Sequence, residues 1–267
     1  MSRLHGTFRQ AKRDKRAAFI PYVTAGDPNL QRTVDVVRAL ARAGADVIEL
    51  GVPFSDPMAD GPTNQRAAER ALASGTTLSG VLAAVEVVRQ DVEIPIVLFT
   101  YANPVLRYGL ERFSEDAAAA GIDGVLFTDV PAEEMAPFEV VLAKSSLDLV
   151  MLVTPTSSKA RMKAAARFGG GFLYLVSRTG VTGAKEDLAA DLETNIRLAR
   201  NASRLPVAVG FGISTPEQVA SVAARADGVV VGSAIVSRIG ALGDCDELTD
   251  EVESFAKSLA DACGRRS

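Results

Sequence analysis

The sequence has a single histidine, His5, and it stands in the N-terminal segment. Histidine-based triads and histidine metal sites are thereby excluded. Cysteine is nearly as scarce. Cys245 and Cys263 are too few for a disulfide framework and lack a metal-ligand spacing. A reducing cytoplasm is the expected setting. No apolar run reaches the roughly 18 to 20 residues that a membrane-crossing helix needs. The start, Met1-Ser2-Arg3-Leu4-His5, lacks the apolar core of a secretory signal. A net charge of −4 gives no global attraction to nucleic acid or to an anionic membrane. The basic run Lys12-Arg13-Asp14-Lys15-Arg16 is expected to be a solvated surface between a helix and the first strand.

What the chain does have is repetition. Eight short runs rich in Val, Ile, Leu and Phe occupy residues 17–24, 46–50, 95–101, 124–130, 148–154, 171–177, 206–212 and 228–232. They are mostly continuous rather than alternating, as parallel strands buried on both faces are. Amphipathic segments lie between them. One runs from Thr33 to a closing Gly44; another opens at Ser214-Thr215-Pro216, with Ser214 or Thr215 as cap. Eight alternations over 267 residues without a composition break predict one domain, 1–267, of α/β class: a (β/α)8 TIM barrel. An open doubly wound sheet would call for a GxGxxG fingerprint, which is missing. Residues 2–13 read as an extra N-terminal helix. The stretch 63–91 reads as two helices broken near Ser74-Gly75-Thr76. Long loops follow strand 2 and strand 6, the latter spanning 178–191.

Barrel enzymes place reactive groups at the C-terminal ends of strands. Here those ends read Thr24, Glu49, Tyr101 with Asn103, Asp129, Thr154, Ser177 with Arg178, Gly212, and Gly232 with Ser233. Polar turn residues account for Asn103 and Asp129. They do not account for Glu49, which is still in strand register between Ile48 and Leu50. Such a carboxyl is desolvated, and desolvation raises its pKa toward values useful for proton transfer near neutrality. Glycines cluster late, in Gly180-Val181-Thr182-Gly183, Gly210-Phe211-Gly212 and Gly232-Ser233. Together they predict a phosphate site, because glycine lets backbone N–H groups approach an anion and a helix N-terminus adds its dipole. The expected strands contain no lysine, which disfavours a Schiff-base mechanism. Carboxylate acid–base chemistry on a phosphorylated small molecule remains. Most aromatics in or after strands read as core, while Tyr22, Tyr174 and Phe211 lie near strand ends, in position to line a flat apolar pocket. On these residues alone, a phosphosugar isomerase stays open.

The motifs PYVTAGDP (21–28), ELGVPFSDPMADGP (49–62), YANPVLRYGLERF (101–113), GVLFTDVPAEE (124–134), LVTPTS (152–157), YLVSRTGVTGA (174–184), GFGIS (210–214) and VVVGSAIV (229–236) closely resemble, in order, the tryptophan synthase alpha chain family. The resemblance implies a (β/α)8 barrel that cleaves indole-3-glycerol phosphate to indole and glyceraldehyde 3-phosphate. It implies no cofactor in this chain. The partner would be a beta chain carrying pyridoxal phosphate, in an alpha2beta2 tetramer. A free-standing indole-releasing lyase and a regulatory partner-binding chain are the alternatives. Carried over, Glu49 is the main acid–base, protonating indole C3 and helping to deprotonate the glycerol hydroxyl. Asp60 is the second acid, at the indole nitrogen, on a loop that can move. Gly183, Gly212, Gly232 and Ser233 hold the phosphate. Tyr22, Tyr174 and Phe211 line the indole pocket, and Thr182 belongs to the lid. Asp56, Pro57, Asn103 and Pro131 face the partner. One position departs from the pattern. After ADGP the family usually reads GPxIQ or GPxVQ, whereas Gly61-Pro62-Thr63-Asn64-Gln65 places an amide there.

Overall fold

The computed structural model describes residues 2–176, 185–210 and 212–264. Its centre is a closed barrel of eight parallel strands, paired in chain order: β1 (Ala18–Thr24), β2 (Ile48–Gly51), β3 (Ile96–Thr100), β4 (Gly124–Phe127), β5 (Asp148–Val153), β6 (Leu173–Val176), β7 (Val207–Gly210) and β8 (Gly228–Val231). β8 closes on β1 through Ala18↔Gly228 to Pro21↔Val231. Each strand falls within, or one residue beyond, one of the eight apolar runs. Period-two alternation sends every second side chain inward. Ile20, Val47, Val97, Leu126, Val150, Phe172, Tyr174, Ala208 and Val230 fill the interior as one buried cluster. Their neighbours, such as Phe19, Ile48, Leu98 and Phe127, face outward into a larger core beneath the helices.

Twelve α-helices occur among the described residues. α1 (Arg3–Arg13) takes Ser2 as N-cap and closes the N-terminal mouth of the barrel, burying Leu4, Phe8 and Ala11 against the interior cluster. Phe8 and Phe172 rings meet at 5.3 Å. Four residues of the basic run at the end of α1 and just beyond it are exposed, as expected. Arg16 is the exception: its guanidinium forks onto Asp46 at 2.5 and 2.7 Å, and Asp46 also accepts from the Phe19 N–H. At the same end, buried Asp123 accepts from Arg3, Arg89 and the Ile96 N–H at 2.6, 2.8 and 2.9 Å, locking β3 to β4.

α2 (Leu30–Arg42) ends before Gly44, whose φ of 99° suits only glycine without strain. α3 (Pro62–Ala73) and α4 (Leu78–Val88) are bent by 94° at the expected break, where Ser74 donates to the Gly26 carbonyl. After β3 the chain makes two helices, α5 (Ala102–Tyr108) and α6 (Leu110–Ala120), divided by Gly109 at φ 96°. Asn103 therefore lies in the first turn of α5 and not on a strand end. α7 (Ala136–Lys144) and α8 (Lys159–Phe168) follow β4 and β5. α9 (Lys185–Ala202) starts earlier than expected, so residues 185–191 are helical and not loop. Leu188, Leu192, Ile196 and Ala199 carry the helical spacing that extends it. α10 (Pro216–Ala223) is capped by Thr215, whose hydroxyl accepts from the Gln218 N–H. α11 (Ser233–Leu242) begins directly at the end of β8, and α12 (Leu248–Ala262) packs on α2. No single helix among the described residues is long and apolar enough to cross a membrane. Cys245 and Cys263 are free thiols.

Candidate active site

Glu49 points inward from β2, in register with Tyr22 of β1 and Val97 of β3. Its side chain is completely buried, and neither carboxyl oxygen has a hydrogen-bond partner among the described residues. A buried, unpartnered carboxylate costs several kcal/mol, so the group retains its proton instead. Burial alone pushes its pKa from the ordinary 4.5 up to about 8. At neutral pH it is a carboxylic acid, poised to give up a proton once a basic atom or a developing negative charge arrives.

Asp60 follows Gly51 on the ten-residue loop between β2 and α3. That loop is held rather than free. The Tyr101 hydroxyl donates to Asp60 Oδ2 at 2.9 Å and accepts from the Ala59 N–H at 2.9 Å. Gln65 Nε2 donates to the Asp60 carbonyl at 2.9 Å. The Tyr101 ring is fixed against Phe54, with centroids 5.2 Å apart. Half-burial raises the Asp60 pKa, while the Tyr101 hydrogen bond and the nearby Asn64 amide work against the rise. Burial thus raises both acids, but Glu49 has no donor to oppose the rise and Asp60 does.

The tyrosines of the interior surround them. Tyr22 is buried, and the charges of Asp60 and Glu49 add to burial in raising its hydroxyl pKa. Tyr174 is raised well above its ordinary value by burial first, then by Glu49 and Tyr22. Tyr22 meets Phe99 edge to face at 5.1 Å and 75°. Glycines make room for both rings. A Cβ on Gly51 would collide with the Tyr22 hydroxyl, and one on Gly210 with the Tyr174 hydroxyl. Gly210 is therefore clearance for an aromatic ring, although its sequence context reads as phosphate chemistry.

Gly232 is the N-cap of α11, and a Cβ there would touch the Tyr22 ring at 3.4 Å. Ser233 is the first residue of that helix; the Ile235 N–H bonds the Gly232 carbonyl at 2.9 Å, while the N–H groups of Ser233 and Ala234 have no acceptor among the described residues. Gly212 is exposed just beyond β7 with φ 72°, a conformation that L side chains avoid. Thr182, Gly183 and Phe211 lie outside the described residues. Asp56, Asn103 and Pro131 are exposed and Pro57 half-buried, on or just after the segments that leave β2, β3 and β4. Asp129 accepts from the Ala102 N–H at 2.8 Å, so it caps α5. Among the described residues, no three His, Cys, Asp or Glu side chains converge as a metal site.

Two residues of the site are missed by sequence reasoning. Tyr101 reads only as a polar strand end, because its partner Asp60 is 41 residues away. Phe99 reads as core, yet it packs on Tyr22 inside the mouth of the barrel. Burial alone does not identify a site either. Asp148, at the start of β5, also has an orphaned buried oxygen and a raised pKa. It lies at the opposite end of the barrel. Cavities of about 500 and 450 Å³ open at that end too, one lined by Lys12, Arg16 and Arg200, the other by Ser2, Asp148 and Arg167. Neither reaches a strand C-terminal end, where barrel chemistry is placed.

Comparisons with known proteins agree with this arrangement. The model of the family "Tryptophan synthase alpha chain" matches residues 8–263. The chain is 52% identical over 264 residues to the tryptophan synthase alpha chain of Geobacter sulfurreducens, covering 99% of this chain and 100% of the relative. It is 51% identical over 267 residues to that of Solibacter usitatus, covering all of both. The crystal structure of tryptophan synthase subunit alpha from Legionella pneumophila str. Paris superposes with a TM-score of 0.90 at 36% identity, covering 98% of each chain. With the barrel, the family match and full-length relatives in agreement, the chain belongs to the tryptophan synthase alpha chain family.

Proposed function

We propose that Glu49 and Asp60 divide between them the cleavage of indole-3-glycerol phosphate to indole and glyceraldehyde 3-phosphate, the reaction of this family. The observation that carries the assignment is the completely buried, unpartnered Glu49 carboxyl on β2, two residues before the strand's C-terminal end, in the same barrel mouth as Asp60. Neutral Glu49 gives its proton to indole C3, which turns the ring into an iminium-like electron sink. The resulting carboxylate takes the proton of the adjacent glycerol hydroxyl. The carbonyl forms, the bond from C3 to the glycerol carbon breaks, and its electron pair restores the indole. Glu49 ends protonated, as it began. Asp60 stabilises the positive charge on the ring nitrogen between these steps.

Tyr22 and Tyr174 line the ring pocket, with Phe211 as a further wall. The phosphate is held by Gly212, Gly232 and Ser233, with Gly183 joining them. The free N–H groups and dipole of the α11 N-terminus supply the attraction. Thr182 belongs to the lid that excludes water. The family works with a beta chain, and pyridoxal phosphate belongs to that partner. The loop carrying Asp56 and Pro57 also exposes Met58 to 91%, an apolar side chain suited to burial by a partner together with Asn103 and Pro131. The assembly is an alpha2beta2 tetramer in the cytoplasm, where Cys245 and Cys263 stay reduced. Turnover of indole-3-glycerol phosphate, measured with and without a tryptophan synthase beta chain, tests this reading. Slow cleavage alone and strong acceleration on mixing are expected. Full activity alone identifies a free-standing lyase, and no activity in either case removes the assignment.

Tyr101 positions Asp60. Tyr101→Phe keeps the ring against Phe54 and removes both hydrogen bonds of the hydroxyl. Loss of the donor raises the Asp60 pKa. kcat/KM is expected to fall by about tenfold, with its acidic limb moved to higher pH. A tenfold fall with an unmoved acidic limb would show that the hydroxyl acts on something other than Asp60.

A further inference from the structure

Asn64 is left unused by that reading. It sits in the first turn of α3, four residues beyond Asp60. The helix is anchored from behind, where Arg70 forks onto buried Asp27 at 2.8 and 2.7 Å. The Asn64 side chain lies near the Asp60 carboxylate and opposes the rise in that group's pKa, so the NH₂ end is the one that can face Asp60, because a carboxylate needs a donor. Its other end, Oδ1, is buried and has no hydrogen-bond partner among the described residues. Buried amide oxygens in folded proteins are paired almost without exception. A side chain needed only to tether Asp60 would leave Oδ1 to solvent or to a protein donor.

We infer that Asn64 is a specificity-determining residue of this chain, whose Oδ1 accepts a hydrogen bond from the ring N–H of the bound substrate, beside the Asp60 carboxylate. The inference rests on the functional reading above. The ring N–H then lies between two acceptors, one charged and one neutral, in a three-centre bond. When C3 is protonated and the ring becomes cationic, the negative end of the amide dipole is already aimed at it. An isoleucine or valine at this position gives the pocket shape without an acceptor. This chain is therefore expected to discriminate more strongly for a ring that carries N–H.

The test compares two non-cleavable ligands, each with a propyl phosphate arm that lacks the glycerol hydroxyls. One carries indole, the other benzofuran, in which oxygen replaces N–H at the same size. Dissociation constants are measured by calorimetry for the wild type, Asn64→Leu and Asn64→Ala. The alanine variant guards against a leucine that fails to fold. The wild type is expected to prefer indole by about a hundredfold or more, because a site built to bond a donor rejects the analogue lacking it. The preference is expected to fall by about tenfold in both variants, while affinity for inorganic phosphate stays at the wild-type value. An unchanged preference in both variants overturns the inference and leaves the functional reading standing. A wild type that binds neither ligand overturns both.

Discussion

Glu49→Gln is expected to lower the rate of indole-3-glycerol phosphate cleavage by about a thousandfold or more, with the barrel intact and ligand affinity retained. Glutamine has the same shape and fits the same buried space, but it has no proton to give to C3. It also cannot accept one from the glycerol hydroxyl, so both proton transfers are lost together. Nothing else described in the barrel mouth replaces it. Asp60 is held by Tyr101, and burial keeps the hydroxyls of Tyr22 and Tyr174 poor acids. The wild type carries a second signature. Glu49 must be protonated to begin the reaction, so kcat/KM is expected to decline as pH rises through about 8. Any residual activity of the variant lacks that alkaline limb. Single-turnover cleavage and binding of the non-cleavable indole ligand separate loss of chemistry from loss of binding. A variant that retains a tenth of wild-type activity would assign the proton to another group.

The eight strands are legible in the sequence because a strand covered on both faces must be apolar throughout, so its boundaries appear as breaks in a continuous run. Glu49 is legible for the same reason: a charge inside such a run has no solvent to face. The break at Gly109 is not, because RYGLERF carries helical composition on both sides and only the positive φ divides it. Pairings between distant residues are equally hidden. Asp123 gathers Arg3 and Arg89 from 120 and 34 residues away, and Tyr101 reaches Asp60 across β2 and β3. Composition registers each as a polar residue near a strand end. Only the register of the closed sheet decides which of them meet. Gly210 shows the converse error: a glycine in a phosphate-like motif is required by the ring of Tyr174 on the neighbouring strand.

The same proton that Glu49 holds for catalysis makes the fold pH-sensitive, and this gives the largest expected effect on stability. In the unfolded chain the group titrates near its ordinary 4.5; in the folded chain it titrates near 8. Below 4.5 both states are protonated and burial carries no ionisation penalty. Between the two values the unfolded state has released its proton while the folded state keeps it. The unfolded state then binds fewer protons, so stability falls as pH rises, and the fall levels off above 8. Glutamine does not titrate. Other groups contribute equally to both proteins, so the difference between them isolates Glu49. From pH 5.5 to pH 8, the unfolding free energy of Glu49→Gln relative to wild type is expected to rise by about 3 kcal/mol, at about 1.4 kcal/mol per pH unit. Urea unfolding of both proteins across this range measures it. A constant difference would mean that Glu49 is ionised in the folded state, and the neutral acid that the mechanism requires would be absent. The catalytic group is thus one that the fold tolerates at a cost, and removing it is expected to yield a more stable and inactive barrel.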